Sequence, residues 1–297
     1  MAHVPVLLKE VLEMLDPHPG EVMVDATLGA AGHGLQIAKK LVPGGSFVGI
    51  DWDWQRLQMA KEVMGEEDLD LKKLVLVEDN YAKLEEILKD ESLGKVDGLL
   101  LDLGFSSDQL GEGRGFAFKG KEEPLEMTYN RNALPAYQLL PQLGQQKLIE
   151  IIRQFSDERY APRIAKAIIE RRHEGPPIVT NKDLAEVIRR AVPKNYERGR
   201  IDPATRTFMA LRMYINGELD NIQNLLASLG AVMNVGGRVV IISYHSKEDA
   251  IIKSFFKEMA WEGKVKLLNK KVVKASKEEI EINPRSRSAK LRAIKIQ

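Results

Sequence analysis

The chain has 297 residues, of which 44% are hydrophobic and 29% are charged, and its net charge is +1. This composition is typical of a folded globular protein with room for one large domain or two smaller ones. The sequence contains no cysteine, which excludes disulfides and thiolate metal sites, and its five histidines are scattered, so we expect no metal site. Because no apolar run could span a membrane and no signal-peptide pattern is evident, we expect a cytoplasmic protein that acts without a membrane.

Positive charge is concentrated in two segments of the chain. Residues 151–215 carry a local charge of +6 and residues 283–297 carry +5, which leaves −10 on the rest. An acidic body with two basic segments suits a polyanion that is held on one side of the protein. The alternative is that the arginines of the first segment only keep helical surfaces soluble.

The first hundred residues alternate between strand and helix patterns. Strand-like apolar runs occur at 22–28, 46–51, 74–78 and 96–103, and helical patterns include 35–41, 54–64 and 81–88. This alternation predicts a parallel sheet with helices on both faces.

The pattern changes after about residue 108. Residues 109–215 contain no convincing buried strand, and their apolar residues recur at helical spacing. Strand patterns return at 237–244, 264–269 and 291–296. We therefore expect an α/β fold with a Rossmann-like sheet formed by residues 1–108 and 216–297. We expect residues 109–215 to form an inserted all-helical domain that recognises the substrate.

The strongest local signal is a glycine-rich turn after the first strand. Gly29, Gly32 and Gly34 follow the run 22–28, and the next strand ends in Asp51, which is the layout of a nucleotide-binding β-α-β unit. However, the glycine spacing departs from the dinucleotide pattern, and Asp25 would repel a pyrophosphate. S-adenosylmethionine, which is cationic and has no phosphate, fits this acidic strand end better than NAD or FAD. A turn that binds no ligand is the remaining alternative.

The fourth strand ends in a second candidate site. Asp102 is followed by Gly104 and Phe105, an arrangement that looks like a relative of the D-P-P-Y motif of amino-group methyltransferases. Such enzymes orient a poorly nucleophilic base amine through hydrogen-bond acceptors and a stacked aromatic ring. Alternatively, Asp102 only caps the turn or holds the cofactor, and Phe105 only fills the core.

Three further segments contain candidate contacts to nucleic acid. Arginine binds phosphate in a bidentate manner, and an aromatic ring close to it can stack on an unpaired base. The candidates are Arg114, Phe116, Arg206, Arg285 and Arg287. Each segment could instead be a capped helix start or a solvated loop.

His245 follows the strand pattern that ends near residue 243. This position places it at the same edge of the sheet as Asp51 and Asp102, so it is a candidate proton acceptor. A structural role for a single histidine is the alternative. A Ser-His-Asp hydrolase is disfavoured, because the chain has no G-x-S-x-G elbow.

Taken together, these segments resemble the bacterial ribosomal RNA small-subunit cytosine-N4 methyltransferase family. The matching segments run through most of the chain: 3–8, 25–33, 101–107, 114–116, 203–208, 210–212, 245–249 and 283–288. The resemblance implies that S-adenosylmethionine is used to methylate N4 of a cytidine in the decoding region. It also implies that the cofactor is bound by Ala31, Gly32, His33, Asp51, Tyr81, Asp102 and Gln109. Without a cysteine to attack the pyrimidine ring, we expect direct methyl transfer with Asp102 as the catalytic residue.

The chain departs from the family pattern at 123–130, at Asp202, and around His245, where Tyr244, Lys247 and Ala250 replace the usual Phe, Leu and Arg. These changes bear on contacts with RNA rather than on the cofactor site. The expected partner is ribosomal RNA in the small ribosomal subunit, not DNA. The rival interpretations are an NAD-dependent oxidoreductase, a non-catalytic RNA-binding factor and a DNA amino-methyltransferase.

Overall fold

The computed structural model describes residues 5–104 and 113–297. The chain divides into two compact units. The sheet unit consists of Met1–Gly104 and Leu219–Gln297, and the helical unit consists of Phe105–Glu218.

The sheet unit contains one seven-stranded sheet. Its strands are β1 Val22–Asp25, β2 Ser46–Asp51, β3 Lys73–Glu78, β4 Val96–Asp102, β5 Met233–Ser243, β6 Val265–Leu267 and β7 Lys290–Ile296. Their order is β3-β2-β1-β4-β5-β7-β6. Strands β1 to β5 pair in parallel, whereas β7 runs antiparallel to β5 and β6. The α/β fold class predicted from the sequence is confirmed.

The helices of the described residues are α1 Leu8–Leu15, α2 Gly32–Leu41, α3 Trp54–Gly65, α4 Leu84–Asp90, α5 Ala136–Leu139, α6 Gln145–Ser156, α7 Ala161–Glu174, α8 Asn181–Ala191, α9 Ala204–Ile215, α10 Glu218–Val232, α11 Ser246–Trp261 and α12 Lys277–Ile282. Helices α5 to α9 belong to the helical unit. Among the described residues of both units, no helix is long and apolar enough to cross a bilayer.

Both faces of the sheet are buried. Neighbouring residues of β4 point to opposite faces, so Leu99 and Leu101 enter one apolar core and Leu100 enters the other. Covered faces explain why the central strands read as continuous apolar runs rather than as an alternating pattern.

The strand order reverses between β1 and β4. Strand β1 pairs with β2 on one side and with β4 on the other, and Asp25 aligns with Gly49 and Leu100. In open parallel sheets, ligands bind at the carboxyl ends of the strands beside such a reversal. This edge is where β1, β2 and β4 end in Asp25, Asp51 and Asp102.

The helical unit has its own apolar core, to which α6, α7 and α8 contribute Leu148, Ile164 and Leu184. These three residues lie in the segments for which the sequence predicts helices. Helix α8 begins with a capping box, in which the Thr180 hydroxyl accepts from the Asp183 N–H and the Asp183 carboxylate accepts from the Thr180 N–H. Between 113 and 218, extended pairing is limited to the isolated bridge of Pro124 with Thr180.

Candidate cofactor and active site

Asp51 ties the glycine-rich turn to the end of β2. Its Oδ2 accepts a 2.7 Å hydrogen bond from the Gly29 N–H, and its Oδ1 accepts a 2.8 Å bond from the Asp53 N–H. Gly29 and Ala31 have φ values of +55° and +62°, so the turn uses left-handed backbone twice before α2 starts. Each carboxylate oxygen keeps a second lone-pair direction, which allows Asp51 to accept from two neighbouring ribose hydroxyls.

Helix α2 approaches the strands closely because residue 34 is glycine. A Cβ at Gly34 would lie 2.6 Å from Leu28 Cδ1 and 2.9 Å from Phe47 Cζ. The residue before the helix, Ala31, provides no side-chain cap. The first N–H groups of a helix have no partner within the helix, so those of α2 suit a carboxylate ligand.

Two of the carboxylates at this edge have raised pKa values. Asp25 is only 1% exposed, and burial together with the charges of Asp102 and Asp51 raises its pKa to about 7. A hydrogen bond from the Thr27 N–H lowers the pKa and offsets only part of this shift. Burial also raises the pKa of Asp51 to about 6. A bound cation would relieve this cost, whereas a pyrophosphate would add to it. The residues present therefore fit the sulfonium and ammonium groups of S-adenosylmethionine.

Asp102 lies at the end of β4 with its side chain 17% exposed. Its backbone N–H donates a 2.6 Å bond to Thr27 Oγ1, and its Oδ1 accepts a 3.1 Å bond from the Gly104 N–H. Its Oδ2 lies 3.7 Å from His33 Nδ1. The other nitrogen of His33, Nε2, is 2.9 Å from the Val6 carbonyl oxygen and must donate to it. Because Nε2 is bonded to that carbonyl, it is Nδ1 of the ring that faces Asp102 Oδ2 at the strand edge.

Sequence patterns miss two neighbours of Asp102 that belong to the site. Thr27 fixes the Asp102 backbone, and although it lies in the matching segment 25–33, the sequence analysis gives it no role. The Tyr244 ring packs on Gly104, where an added Cβ would lie 2.9 Å from Tyr244 Cε2. Burial and the nearby Asp102 charge raise the pKa of Tyr244, so its hydroxyl stays protonated beside that carboxylate. In the sequence, Tyr244 stands out only as a departure from the family pattern, and its place beside Gly104 and Asp102 corrects the expectation that this departure leaves the cofactor site untouched.

The structure brings together five of the seven residues expected to bind the cofactor, namely Ala31, Gly32, His33, Asp51 and Asp102. Tyr81 starts the 3-10 turn Tyr81–Lys83 that follows β3, and it packs against the core of the sheet unit. Gln109 and Phe105 lie outside the described residues. The cofactor roles stay predictions.

Phe116 and Arg114 lie at the core of the helical unit. The Phe116 ring is 6% exposed and stacks on Tyr129 with a centroid distance of 5.4 Å. The Arg114 guanidinium lies 5.4 Å from the Phe116 ring centre, and its Nη1 donates to the Thr128 carbonyl. Contact of both residues with RNA stays a prediction, and the burial of the Phe116 ring disfavours stacking on a base.

Arg206 is engaged inside its own unit. Its side chain is 27% exposed, and its Nη1 lies 2.8 Å from Glu197 Oε1 and 3.6 Å from Glu158 Oε2. In the sheet unit, Arg285 is half-buried and Arg287 is exposed in the 3-10 turn Pro284–Ser288. Contact of these three arginines with RNA also stays a prediction, and the ion pairs of Arg206 disfavour it there.

The segment around His245 has a structural role. His245 precedes α11, and its Nδ1 accepts from the Lys247 N–H at 3.2 Å, while the Glu248 carboxylate accepts from the His245 N–H. Asp249 pairs with Arg292 of β7 at 2.7 Å. The structural alternative for His245 is therefore favoured over a proton acceptor.

Comparison with known proteins assigns the chain to a family. The model of the MraW methylase family matches residues 1–297. The protein named ribosomal RNA small subunit methyltransferase H from Coprothermobacter proteolyticus is 44% identical, over 99% of this chain and 95% of its own length. The proteins of the same name from Koribacter versatilis and Clostridioides difficile are 42% and 40% identical, each over 98% of this chain and over 93% and 97% of their own lengths.

A crystal structure of an rRNA methylase from Streptococcus thermophilus matches with a TM-score of 0.42 and 11% identity over 99% of both chains. The assignment depends on the sequence relatives, and it confirms the resemblance found in the sequence. The chain belongs to the MraW methylase family.

Proposed function

We propose that this protein transfers a methyl group from S-adenosylmethionine to N4 of a cytidine in the RNA of the small ribosomal subunit. The observation that carries the proposal is the acidic strand edge, where Asp25, Asp51 and Asp102 converge beside the glycine-rich turn. Family membership and the names of the relatives support the same reaction and substrate class. Because bacterial ribosomes are cytoplasmic, the proposal includes a cytoplasmic location.

The contacts described above support a division of roles among the residues. Asp51 accepts from the ribose hydroxyls, and the first N–H groups of α2 bind the carboxylate of the cofactor's amino-acid end. Asp25 supplies negative charge for the cationic end. When it is bound, S-adenosylmethionine supplies an electrophilic methyl group on its sulfonium.

Asp102 is the residue that we assign to the target amine. Its Oδ2 would accept from an N–H of the exocyclic amine and so orient the nitrogen lone pair, and the proton that the nitrogen loses on methylation would pass through this carboxylate to solvent. The bonds from Gly104 and to Thr27 fix the carboxylate and its backbone, which limits the reorganisation needed at reaction. A nucleotide in this position must have left its base pair, so we expect the enzyme to act on an unpaired or extruded cytidine.

The test is methyl transfer from labelled S-adenosylmethionine to small ribosomal subunits that lack the modification, followed by mass analysis of the nucleosides. We expect N4-methylated cytidine with the wild-type protein. We expect at least about a 100-fold lower rate with Asp102→Asn, because a positioned polar group contributes about that much. The matched control is Asp97→Asn, since Asp97 is a carboxylate at the opposite end of β4 that accepts from the Val22 N–H.

The other interpretations predict different results. A non-catalytic RNA-binding factor would bind RNA without producing any methylated nucleoside. A DNA amino-methyltransferase would modify DNA in preference to RNA when both are offered. Methyl transfer to another base position would contradict the proposed reaction, and transfer that Asp102→Asn leaves unchanged would contradict the role of Asp102.

A further inference from the structure

We propose that four arginines of the helical unit form a surface that binds the sugar–phosphate backbone of the RNA substrate, which extends the function proposed above. The arginine surface, as we call it, consists of Arg159 and Arg163, which lie against the Tyr160 ring, and of Arg198 and Arg200, which follow Tyr196 in the chain. No sequence motif marks any of the four. Their charge, their exposure and the buried group beneath them support the assignment.

The contact between two tyrosine rings connects the two parts of the arginine surface. The ring centres of Tyr160 and Tyr196 are 5.9 Å apart. The guanidinium carbons of Arg159 and Arg163 lie 4.8 Å and 5.9 Å from the Tyr160 ring centre. Cation–π contacts of this kind orient a guanidinium without neutralising its charge. The chain runs from Tyr196 directly into the segment that carries the other two arginines.

The four arginines are exposed, and no acidic residue within 5–104 or 113–297 forms an ion pair with them. Other arginines of the same unit do form ion pairs. Arg189 pairs with Asp202, and Arg212 pairs with Glu218. Unpaired guanidinium groups concentrated on one surface create a positive potential that attracts a polyanion. Their planar donor groups match phosphate oxygens in geometry.

A buried carboxylate fixes the two tyrosines through hydrogen bonds. Glu158 is 0% exposed, and it accepts from the Tyr196 hydroxyl and, at 2.8 Å, from the Tyr160 N–H. Burial and the Glu158 carboxylate raise the pKa of Tyr196, so the hydroxyl stays a donor. Arg206 lies 3.6 Å from Glu158 and neutralises part of its charge. Arg206 is thus a positioning residue for the surface rather than one of its contacts.

The segment after Tyr196 has a strained backbone, which exposes the other two arginines of the surface. Glu197 and Arg198 both have left-handed backbone, with φ of +45° and +52°, and Gly199 follows with +74°. Such conformations are costly for residues other than glycine and persist only where the surroundings enforce them. Here the 2.8 Å pair of Arg206 with Glu197 fixes the turn. Its result is that Arg198 and Arg200 are presented to solvent.

The test compares two pairs of substitutions with a matched control pair. The surface variants are R159A/R163A and R198A/R200A. The control is K166A/R190A, which removes the same charge from exposed positions of the same unit, where Lys166 and Arg190 are already paired with Glu170 and Glu186. Binding of small-subunit ribosomal RNA transcribed in vitro is measured over a series of salt concentrations, and circular dichroism checks that each variant is folded.

We expect each surface pair to weaken RNA binding by about tenfold or more and to lower the slope of log affinity against log salt by about 1 to 2, because each lost phosphate contact releases about one counterion fewer. The control pair should stay within about twofold of the wild type, because the two charges that it removes are already paired with acidic residues and are screened by salt. Surface pairs that bind RNA like the wild type, or a control that weakens binding equally, would overturn the proposal.

The proposed function can fail separately from the surface. If the wild type transfers no methyl group while the surface pairs still lose RNA affinity relative to the control, the arginine surface stands and the methyltransferase function does not. If methyl transfer occurs and the surface pairs bind RNA normally, only the surface is wrong.

Discussion

At the scale of single residues, Asp25 shows how strongly the site is biased towards a cation. Its carboxylate is almost fully buried, and its pKa is raised to about 7 by that burial and by two neighbouring aspartates. The folded protein therefore holds a proton on Asp25 up to about neutral pH, whereas the unfolded chain releases it near pH 4. Between those values the folded state binds more protons, so the free energy of unfolding of the cofactor-free protein falls as pH rises.

Cofactor binding should have the opposite pH dependence. A cation at the strand edge favours the ionised carboxylates, so we expect S-adenosylmethionine to bind more tightly as pH rises from about 5 to about 8 and to release protons near pH 6.5. Calorimetric titration in two buffers of different ionisation enthalpy measures this release. Asp25→Asn should reduce it, and Asp97→Asn should not. Affinity that is constant over this pH range would contradict the raised pKa values as the basis of cofactor selectivity.

The ion pair between Arg206 and the buried Glu158 should contribute to the stability of the helical unit. Arg206→Gln removes the cation next to a fully buried carboxylate, and we expect a loss of about 2 kcal/mol of stability because the charge of Glu158 is left uncompensated. Chemical denaturation measures the change. Adding Glu158→Gln to that variant should recover part of the loss, since the buried charge is gone. A double variant that is less stable than both single variants would contradict this explanation.

At the scale of secondary-structure elements, the packing of α2 on the strands depends on one missing side chain. Gly34→Ala places a methyl group 2.6 Å from Leu28 and 2.9 Å from Phe47, so we expect a loss of about 1 to 3 kcal/mol. Gly230→Ala in α10 is the matched control, because nothing lies within 4 Å of its Cβ position. There the gain in helix propensity should stabilise the protein by up to about 1 kcal/mol. Thermal denaturation of both variants checks the contrast, and equal effects would refute it.

The elements also show what sequence patterns can and cannot predict. Strands β2 and β4 stand out because each contains a short apolar run that ends in an aspartate, and the positions of Asp51 and Asp102 at strand ends follow directly. Strand β5 begins at Met233, four residues before its predicted start, because Gly236 and Gly237 break the apolar pattern at a register shift beside Val96.

Contacts that depend on the folded chain could not be read from the sequence. The start of α9 within segment 202–208 agrees with the helix-start alternative, but the burial of Phe208 in the helical unit has no signal in that segment. Neither the ion pair of Arg206 nor the stacking of Phe116 on Tyr129 has a local signature, because both join residues that only tertiary packing brings together. By contrast, Asp51 and Asp102 were predictable, since strand ends can be located from local patterns.

At the scale of the whole molecule, ligand choice should be visible in thermal stability. A ligand that binds only the folded protein stabilises it by about 2.7 kcal/mol at about 100 times its dissociation constant. We expect S-adenosylhomocysteine, which keeps the ammonium group, to raise Tm. NADH at the same concentration should not, because its pyrophosphate would meet the acidic strand edge. Differential scanning fluorimetry compares the two, and an equal rise with NADH would favour the oxidoreductase interpretation.

The sheet unit is assembled from two separate parts of the chain, and this has a consequence for biosynthesis. Strand β4 ends at Asp102, but its partner β5 begins only at Met233. During translation the ribosome must therefore synthesise the whole helical unit while one edge of an apolar strand, with three consecutive leucines, has no partner. Unpaired apolar edges are sites of aggregation in nascent chains. We therefore expect the newly made protein to depend on chaperones most strongly before residue 243 has left the exit tunnel.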